Sequence, residues 1–410
     1  MGKSTWMVKA FFKMKFPVKI KFVKGFLGEK KYHSVPGDRV PAVDMKQLLK
    51  CALCPTMCRF ECPSLRVTKK EMYAPAAKSR ISYHMERGNL DMHDPHSAEV
   101  PYLCTNCDGC RLWCPMDIST GQLLKGVRAD LVAAGCVSDT LKDFDTRVRE
   151  NSTMFSKTTF TAHPEFDVRM DNPEIFYYIG CVMAEKKPEA VAANIEILKK
   201  AGIRFCTFSN ERTCCGGPSN TAGFRKTTMD FSEKNLALFK KSGARVIVAD
   251  CPACVDTIAN TYKALGIKHD YLVITTVEYY RMLVEQGKLE LSKPVDIAIT
   301  YHDPCIAARG LGDVENARFL LNKIPGLQVR EAFLHGLETQ CCGMGGVSHV
   351  HHPRESEAIG KQRYDQLVKT GADSIVTSCP ACEEGFMIAC DEVPGKVLDI
   401  AEIVQRAVKL

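Results

Sequence analysis

Cysteines recur twice along this chain in the same order. One set is Cys181, the vicinal pair Cys214-Cys215 followed by Gly216, and Cys251-Pro-Ala-Cys254; the other is Cys305, Cys341-Cys342-Gly343 and Cys379-Pro-Ala-Cys382. Each gathers five thiols. Four thiolates suffice for a zinc ion or a cubane 4Fe-4S cluster, so five exceed both shells. Adjacent cysteines cannot both ligate one small ion without strain, but they can bind two irons of a single cluster. The pattern therefore points to unusual iron-sulfur redox chemistry, with zinc or unrelated structural thiols as the competing readings.

Two further runs lie upstream. Cys104, Cys107, Cys110 and Cys114-Pro115 fit the bacterial ferredoxin spacing C-x2-C-x2-C-x3-C-P. Cys51, Cys54, Cys58 and Cys62-Pro63 depart from it by one residue, with three residues between Cys54 and Cys58. In two-cluster ferredoxins the fourth cysteine of each run ligates the neighbouring cluster. That crossing assigns Cys51, Cys54, Cys58 and Cys114 to one cubane, and Cys104, Cys107, Cys110 and Cys62 to the other. Zinc suits three closely stepped cysteines poorly. Cys136, Cys206 and Cys390 lie outside every motif and are expected to be buried as small apolar groups.

With 410 residues, 45% of them hydrophobic, the chain has room for several domains with real cores. Its 21 cysteines are too dilute for a short disulfide scaffold. No signal peptide opens the sequence, so reduced, metal-bound thiols in a cytoplasm are expected. No apolar stretch approaches the length that spans a bilayer. Residues 1–31 hold nine lysines against one acid, and the rest of the chain carries only −1 of the net +7. A nearly neutral body argues against nucleic-acid binding. The basic arm also carries Trp6, Phe11, Phe12, Phe16, Phe22 and Phe26. Val18, Ile20 and Phe22 alternate with lysines, which suggests a half-buried extended segment. It suits an anionic membrane surface or a partner subunit, so the expected location is cytoplasmic with peripheral attachment to the cytoplasmic membrane face. Packing on its own protein is the plainer alternative.

These cysteines need elements to position them. Helix-compatible sequence separates the two upstream runs, and a charged connector with some helix spans 136–172. From residue 173 short apolar runs alternate with amphipathic segments. Strands are expected at 174–180, 203–208 and 245–249, then at 296–301, 326–333 and 374–377, each leading to a cysteine motif. Helices are expected at 188–201 and 224–242. Both copies close with related stretches, LVITTVE at 272–278 and VLDIAE at 397–402. The expected fold is an α+β multidomain chain: an arm over 1–42, an α-helical two-cluster ferredoxin-type domain over 43–135, a linker over 136–172, and duplicated Rossmann-like α/β half-domains over 173–295 and 296–410. The halves are expected to be related by a pseudo-two-fold axis, with cysteines on loops at strand carboxyl ends.

Taken together, Cys, Cys-Cys-Gly and Cys-Pro-x-Cys twice in tandem behind a two-cluster ferredoxin module resemble the CCG-domain iron-sulfur oxidoreductases. That family includes heterodisulfide reductase catalytic subunits and iron-sulfur subunits of glycolate, lactate and glycerol-3-phosphate oxidising complexes. The resemblance implies two noncubane 4Fe-4S clusters beside the two cubanes. Their ligands would be Cys181, Cys214, Cys215, Cys251 and Cys254, and Cys305, Cys341, Cys342, Cys379 and Cys382. Tyr301-His302-Asp303-Pro304-Cys305 and Arg309 also look like the family's second-copy signature. His302 and Arg309 are candidates for tuning a cluster or binding an anionic substrate group, against a turn-stabilising His-Asp pair and a surface arginine. His349, His351 and His352 are candidate proton donors, against helix-capping or solvent-facing roles.

The implied activity is a heterodisulfide reductase-like one, with electrons passing between two cubanes and a small disulfide or dithiol substrate at the noncubane pair. An electron-transfer subunit delivering electrons from a flavoprotein dehydrogenase to a quinone pool is the alternative, whether of the hydroxy-acid, glycerol-3-phosphate or acyl-CoA/electron-transfer-flavoprotein type. A zinc scaffold is the non-redox alternative. No Gly-x-Gly-x-x-Gly follows a strand, so flavin, quinone or haem would reside on a partner: a flavoprotein, a cytochrome b-like membrane subunit or an electron-transfer flavoprotein.

Overall fold

The computed structural model describes residues 12–27, 35, 39–154, 164–390 and 397–409. The expected extended arm is corrected within this range, because Phe16–Leu27 is a helix, α1. Pro17 sits in its first turn, where a missing N–H costs nothing. Phe16, Ile20, Val23 and Leu27 also recur at helical spacing, so the three alternating positions Val18, Ile20 and Phe22 could not discriminate between the two periods. Arm residues 1–11 and 28–34 lie outside the described range.

A helical region follows. In α2 (Met45–Ala52) the Asp44 carboxylate caps the first turn by accepting from the Lys46 and Gln47 N–H groups at 2.9 and 3.1 Å. Next come α3 (Pro75–Glu86), with proline in its first turn, α4 (Thr120–Ala133), capped by Ser119, and α5 (Asp139–Asn151). Helix α5 lies in the stretch read as a connector.

Two parallel four-stranded sheets make up the rest. The first contains β1 (Ile175–Tyr178), β2 (Phe205–Cys206), β3 (Val246–Ala249) and β4 (Leu272–Thr275), in the order β2-β1-β3-β4. The second contains β5 (Ala298–His302), β6 (Gln328–Val329), β7 (Ser374–Thr377) and β8 (Val397–Asp399), in the order β6-β5-β7-β8. The repeated cysteine order thus corresponds to a repeated strand order.

Strand β1 shows why both faces must be covered. Side chains alternate across a strand. Ile175 and Tyr177 enter a core shared with Ile299, Tyr301 and Val404 of the second half, while Phe176 and Tyr178 enter one that continues to Leu123, Val127 and Leu131 of the helical region. Strand β1 is consequently buried and apolar throughout, as a parallel strand covered on two faces requires.

Arg128, on α4, fastens the three regions together. It is fully buried and donates to the carbonyl oxygens of Pro101 and Cys104 at 2.9 and 2.7 Å, of Thr221 in the first half at 2.8 Å, and of Gly346 in the second at 3.2 Å. Close backbone approach at that junction demands glycine. A Cβ on Gly346, where φ is +68°, would lie 2.0 Å from the Cys104 carbonyl oxygen.

Candidate metal centres

Two cysteine-lined cavities lie in the helical region. Cys62, Cys104, Cys107 and Cys110 line one; Cys51, Cys54, Cys58 and Cys114 line the other, and Cys110 and Thr120 border both. Each therefore draws thiols from both upstream runs. Helix α3 supplies a donor to each at successive positions. Lys78 Nζ is 3.6 Å from Cys62 Sγ, and Ser79 Oγ is 3.1 Å from Cys51 Sγ. Burial opposes the charge of Lys78, but Cys62, Cys104, Cys110 and Cys107 around it raise its pKa.

Electrostatics test the fit of a metal cluster here. Cys58 is pushed up to about 12 by burial and by the neighbouring Cys51, Cys114 and Cys54. Burial and then Cys104 and Cys107 also raise Cys110 well above the usual thiol range. Four crowded thiols cannot ionise together without a cation, yet thiolate is the ligating form. The all-sulfur donor sets, with a lysine and hydroxyls facing the sulfurs, fit cationic iron-sulfur cores.

In the two sheet regions the cysteines sit just past strand carboxyl ends. Cys181 follows β1, Cys251 follows β3, Cys305 follows β5 and Cys379 follows β7. The glycine of each Cys-Cys-Gly has a backbone need. Gly216 and Gly343 have φ of +82° and +92°, and their N–H groups turn back to donate to Cys214 Sγ at 3.4 Å and Cys341 Sγ at 3.3 Å. Buried polar groups hold the first pair in place. Asn235 donates to the Cys214 carbonyl oxygen at 2.9 Å and the Tyr262 hydroxyl to that of Cys215 at 2.8 Å.

These thiols touch in an unbroken series. Cys107 meets Cys341, which also meets Cys305 and Cys342; Cys342 meets Cys382, and Cys382 meets Cys379. Cys379 meets Cys251 across the two halves, and Cys254, Cys215, Cys214 and Cys181 follow. Protons are shared within the series: Cys341 and Cys382 hold Cys342 well below the usual thiol range, while Cys214, hydrogen-bonded to Cys181 and Cys215, lies well above it.

His302 is fully buried at the end of β5. Its Nδ1 accepts from Arg363 Nε at 3.2 Å, and the ring lies with Cys342 and Cys382 in a group whose ligand atoms are within 4.8 Å of one another. The next residue, Asp303, pairs with Arg318 at 2.6 Å and accepts from the Gly336 N–H at 2.8 Å, so it anchors a loop. Arg309 is not a surface arginine. It donates to the carbonyl oxygens of Cys107, Leu337 and Thr339 at 2.7, 2.7 and 2.8 Å, and lies in the field of Cys107, Cys305 and Cys341.

The histidines after the second Cys-Cys-Gly are not solvent-facing. Burial pushes His349 down to about 4; burial and His351 do the same to His352, so both are neutral near pH 7. Cys136 and Cys206 are buried, whereas Cys390 is half-exposed and departs from expectation.

Several functional neighbours were missed by sequence reasoning. Lys78 and Ser79 carry no motif, although their place in helix-compatible sequence between the two runs was a usable signal. Asp250 and Glu383 directly flank motif cysteines. With Asp399 they form a fully buried acidic group, where the Tyr177 hydroxyl and Asn194 donate to Asp250 at 2.6 and 2.9 Å, and Lys187 pairs with Glu383 at 3.0 Å. Burial, and then Asp399, raises Glu383 well above the carboxylate range.

Residues 175–259 and 299–386 match the cysteine-rich CCG domain, and residues 47–118 match the 4Fe-4S dicluster domain. The chain belongs to the CCG-domain iron-sulfur proteins. The dicluster domain implies two cubane clusters. One subunit of the dihydromethanophenazine:CoB--CoM heterodisulfide reductase from Methanosarcina barkeri is 27% identical over 75% of this chain and 78% of its own. One subunit of the fumarate reductase (CoM/CoB) from Methanothermobacter marburgensis is 27% identical over 89% of this chain and 73% of its own. An EtfAB:quinone oxidoreductase from Syntrophomonas wolfei is 26% identical over 90% of this chain, which spans 55% of that protein. Among solved structures, a hypothetical protein from Helicobacter pylori shares the fold, with a TM-score of 0.56 at 13% identity over 89% of this chain and 76% of that one. Among the described residues, no helix is long and apolar enough to cross a membrane.

Proposed function

We propose that this CCG-domain protein is the iron-sulfur subunit of a redox complex that exchanges electrons with a small disulfide or dithiol. The observation that carries this reading is the unbroken series of neighbouring thiols from Cys107 through Cys341, Cys379 and Cys251 to Cys181. When bound, two cubane and two noncubane 4Fe-4S clusters would supply one-electron carriers close enough together for two-electron disulfide chemistry.

The chain's own residues have defined tasks. Cys51, Cys54, Cys58 and Cys114 would hold one cubane, and Cys62, Cys104, Cys107 and Cys110 the other. The two five-thiol sets would hold the noncubane pair, on Rossmann-like halves about a pseudo-two-fold axis. Lys78 and Ser79 direct donors at the sulfurs, and hydrogen bonds to a ligating sulfur stabilise its charge and set its potential. His302, fixed by Arg363, faces the second set, while Arg309 secures that set's loop to Cys107. Burial of nine of the ten thiols in the duplicated sets keeps water from the reacting sulfurs. Reducing a disulfide takes two electrons from the redox partner and two protons from solvent, yielding two thiols.

Anaerobic protein with full iron content, supplied with reduced methyl viologen and assayed against a panel of small disulfides, tests the proposal. Viologen-dependent thiol formation is the expected result; none at full iron content would overturn it. The similarity to the EtfAB:quinone oxidoreductase favours a second reading, an electron-transfer subunit working between a flavoprotein and a quinone pool. Disulfide-independent quinone reduction by the same preparation would establish it.

A further inference from the structure

One face of the helical region is apolar where a monomer's surface would be polar. Leu53 and Met57 are 75% and 66% exposed, and Phe60, Leu112, Trp113 and Met116 are between 41% and 50% exposed. All six lie within a few residues of Cys54, Cys58 or Cys114 in sequence. Phe60 and Trp113, from different cysteine runs, meet edge to face at 5.0 Å. The thiols beneath, Cys54, Cys58 and Cys114, are partly exposed, whereas nine of the ten thiols in the duplicated sets are buried. Large contiguous apolar patches on soluble domains mark interaction sites, and tryptophan and methionine are enriched at interface cores.

The rim is basic. Glu71 and Asp117 are each paired, with Arg59 and Arg111. Lys46 and Lys50, one turn apart on α2, have no acidic partner among the described residues, and Arg80 donates only to the Ala52 carbonyl oxygen, at 3.1 Å. An apolar centre with a cationic rim complements an acidic protein, whose approach the field would steer. A zwitterionic bilayer or a second copy of the same basic face would not use that charge.

We propose that Leu53, Met57, Phe60, Leu112, Trp113 and Met116 form the docking face for an acidic electron-transfer protein that carries its own cofactor at its surface. This rests on the electron-exchange reading above. In each encounter one electron would leave the partner's reduced cofactor and reduce by one electron the 4Fe-4S cluster that Cys51, Cys54, Cys58 and Cys114 would hold; no bond forms or breaks.

The test uses an acidic flavodoxin as probe, with anaerobic full-length protein of known iron content. Its Kd is measured by titration calorimetry at low and high salt for the wild type, for Phe60→Ser/Trp113→Ser and for Lys46→Glu/Lys50→Glu. The expected result is at least tenfold weaker binding for each double variant, and a salt dependence that largely disappears in the lysine variant. Reduction by methyl viologen, which needs no docking face, is expected to proceed at the wild-type rate in both. If the serine variant loses iron, the lysine variant, whose substituted side chains are exposed on α2, decides alone, with its own iron content measured alongside. Unchanged affinity in the lysine variant would overturn the proposal, as would absence of flavodoxin binding by the wild type. It would also be overturned by a wild-type dimer that the serine variant breaks, or by retention on anionic vesicles that the serine variant loses. Failure of disulfide turnover with viologen would count against the functional reading and leave the docking result standing.

Discussion

Arg309 donates from Nε to the carbonyl oxygen of Cys107 at 2.7 Å, across 202 residues of chain. With its bonds to Leu337 and Thr339, it fixes the helical region, the second half and the loop before Cys341 relative to one another. Arg309→Ala leaves three carbonyl oxygens without that donor, and charged hydrogen bonds contribute about 1.5–3 kcal/mol each before relaxation. The expected result is destabilisation of about 2–4 kcal/mol, read as a lower anaerobic unfolding midpoint with iron content retained. An unchanged midpoint would show that the junction holds without it.

Iron content addresses the duplicated thiol sets. Four 4Fe-4S clusters correspond to about 16 iron atoms per chain. About eight in intact anaerobic protein, the number two cubanes hold, would mean that the five-thiol sets do not hold clusters.

Cysteine variants separate the centres. Cys214→Ser and Cys341→Ser are each expected to abolish disulfide turnover. Because Cys341 touches Cys107 and Cys214 touches only its own set, Cys341→Ser should also alter the electron paramagnetic signature of the ferredoxin-type region, while Cys214→Ser leaves it intact. Cys136→Ser is expected to be nearly silent; damage equal to the other two would collapse the distinction between ligating and structural thiols.

Glu86 predicts a pH effect remote from any thiol set. Its carboxyl is raised to about 7 by burial and by Asp130, against the opposing pull of Arg39, which donates to it at 2.7 Å. Between about 4.5 and 7 the folded protein holds a proton there that the unfolded chain has lost. This contribution is therefore fully present below pH 4.5 and is lost as pH climbs through 7. Relative to Glu86→Gln, the wild type should lose about 2 kcal/mol between pH 5 and 8, a figure held below the full shift because Asp130 shares in it. Unfolding midpoints at the two pH values check it, and parallel curves would refute it.

The arm predicts attachment. Helix α1 exposes Phe16, Val18, Ile20 and Val23 beside lysines, and each lysine near an anionic surface contributes on the order of 1 kcal/mol at low salt. Removing residues 1–31 should leave iron content intact and weaken co-sedimentation with anionic vesicles, and salt should weaken the full-length protein in the same way. Loss of iron on truncation would place the arm in the core instead.

The ferredoxin-type spacing, the repeated cysteine order and the alternation of strands and helices after residue 173 were legible in the sequence because each is a local, periodic signal. The glycine of Cys-Cys-Gly was legible as a motif, but its left-handed φ and its N–H aimed at the preceding sulfur became evident only in three dimensions. Arg128 stayed hidden, and Arg309 was singled out without its partners, because both act on carbonyl oxygens contributed by distant segments, and no spacing marks such a partner. The arm was misread because Val18, Ile20 and Phe22 fit alternation while Phe16, Ile20, Val23 and Leu27 fit helical spacing over the same short stretch.

The interleaving of the two upstream cysteine runs also constrains synthesis. A chain emerging from the ribosome presents Cys51, Cys54 and Cys58 long before Cys114 exists, and Cys62 waits for Cys104, Cys107 and Cys110. Neither sulfur cage can close until almost the whole helical region has been made. Until then its thiols stand open to oxidants and stray metals, so cluster loading must lag behind translation, and a pause or cleavage between the runs would forfeit both cages together.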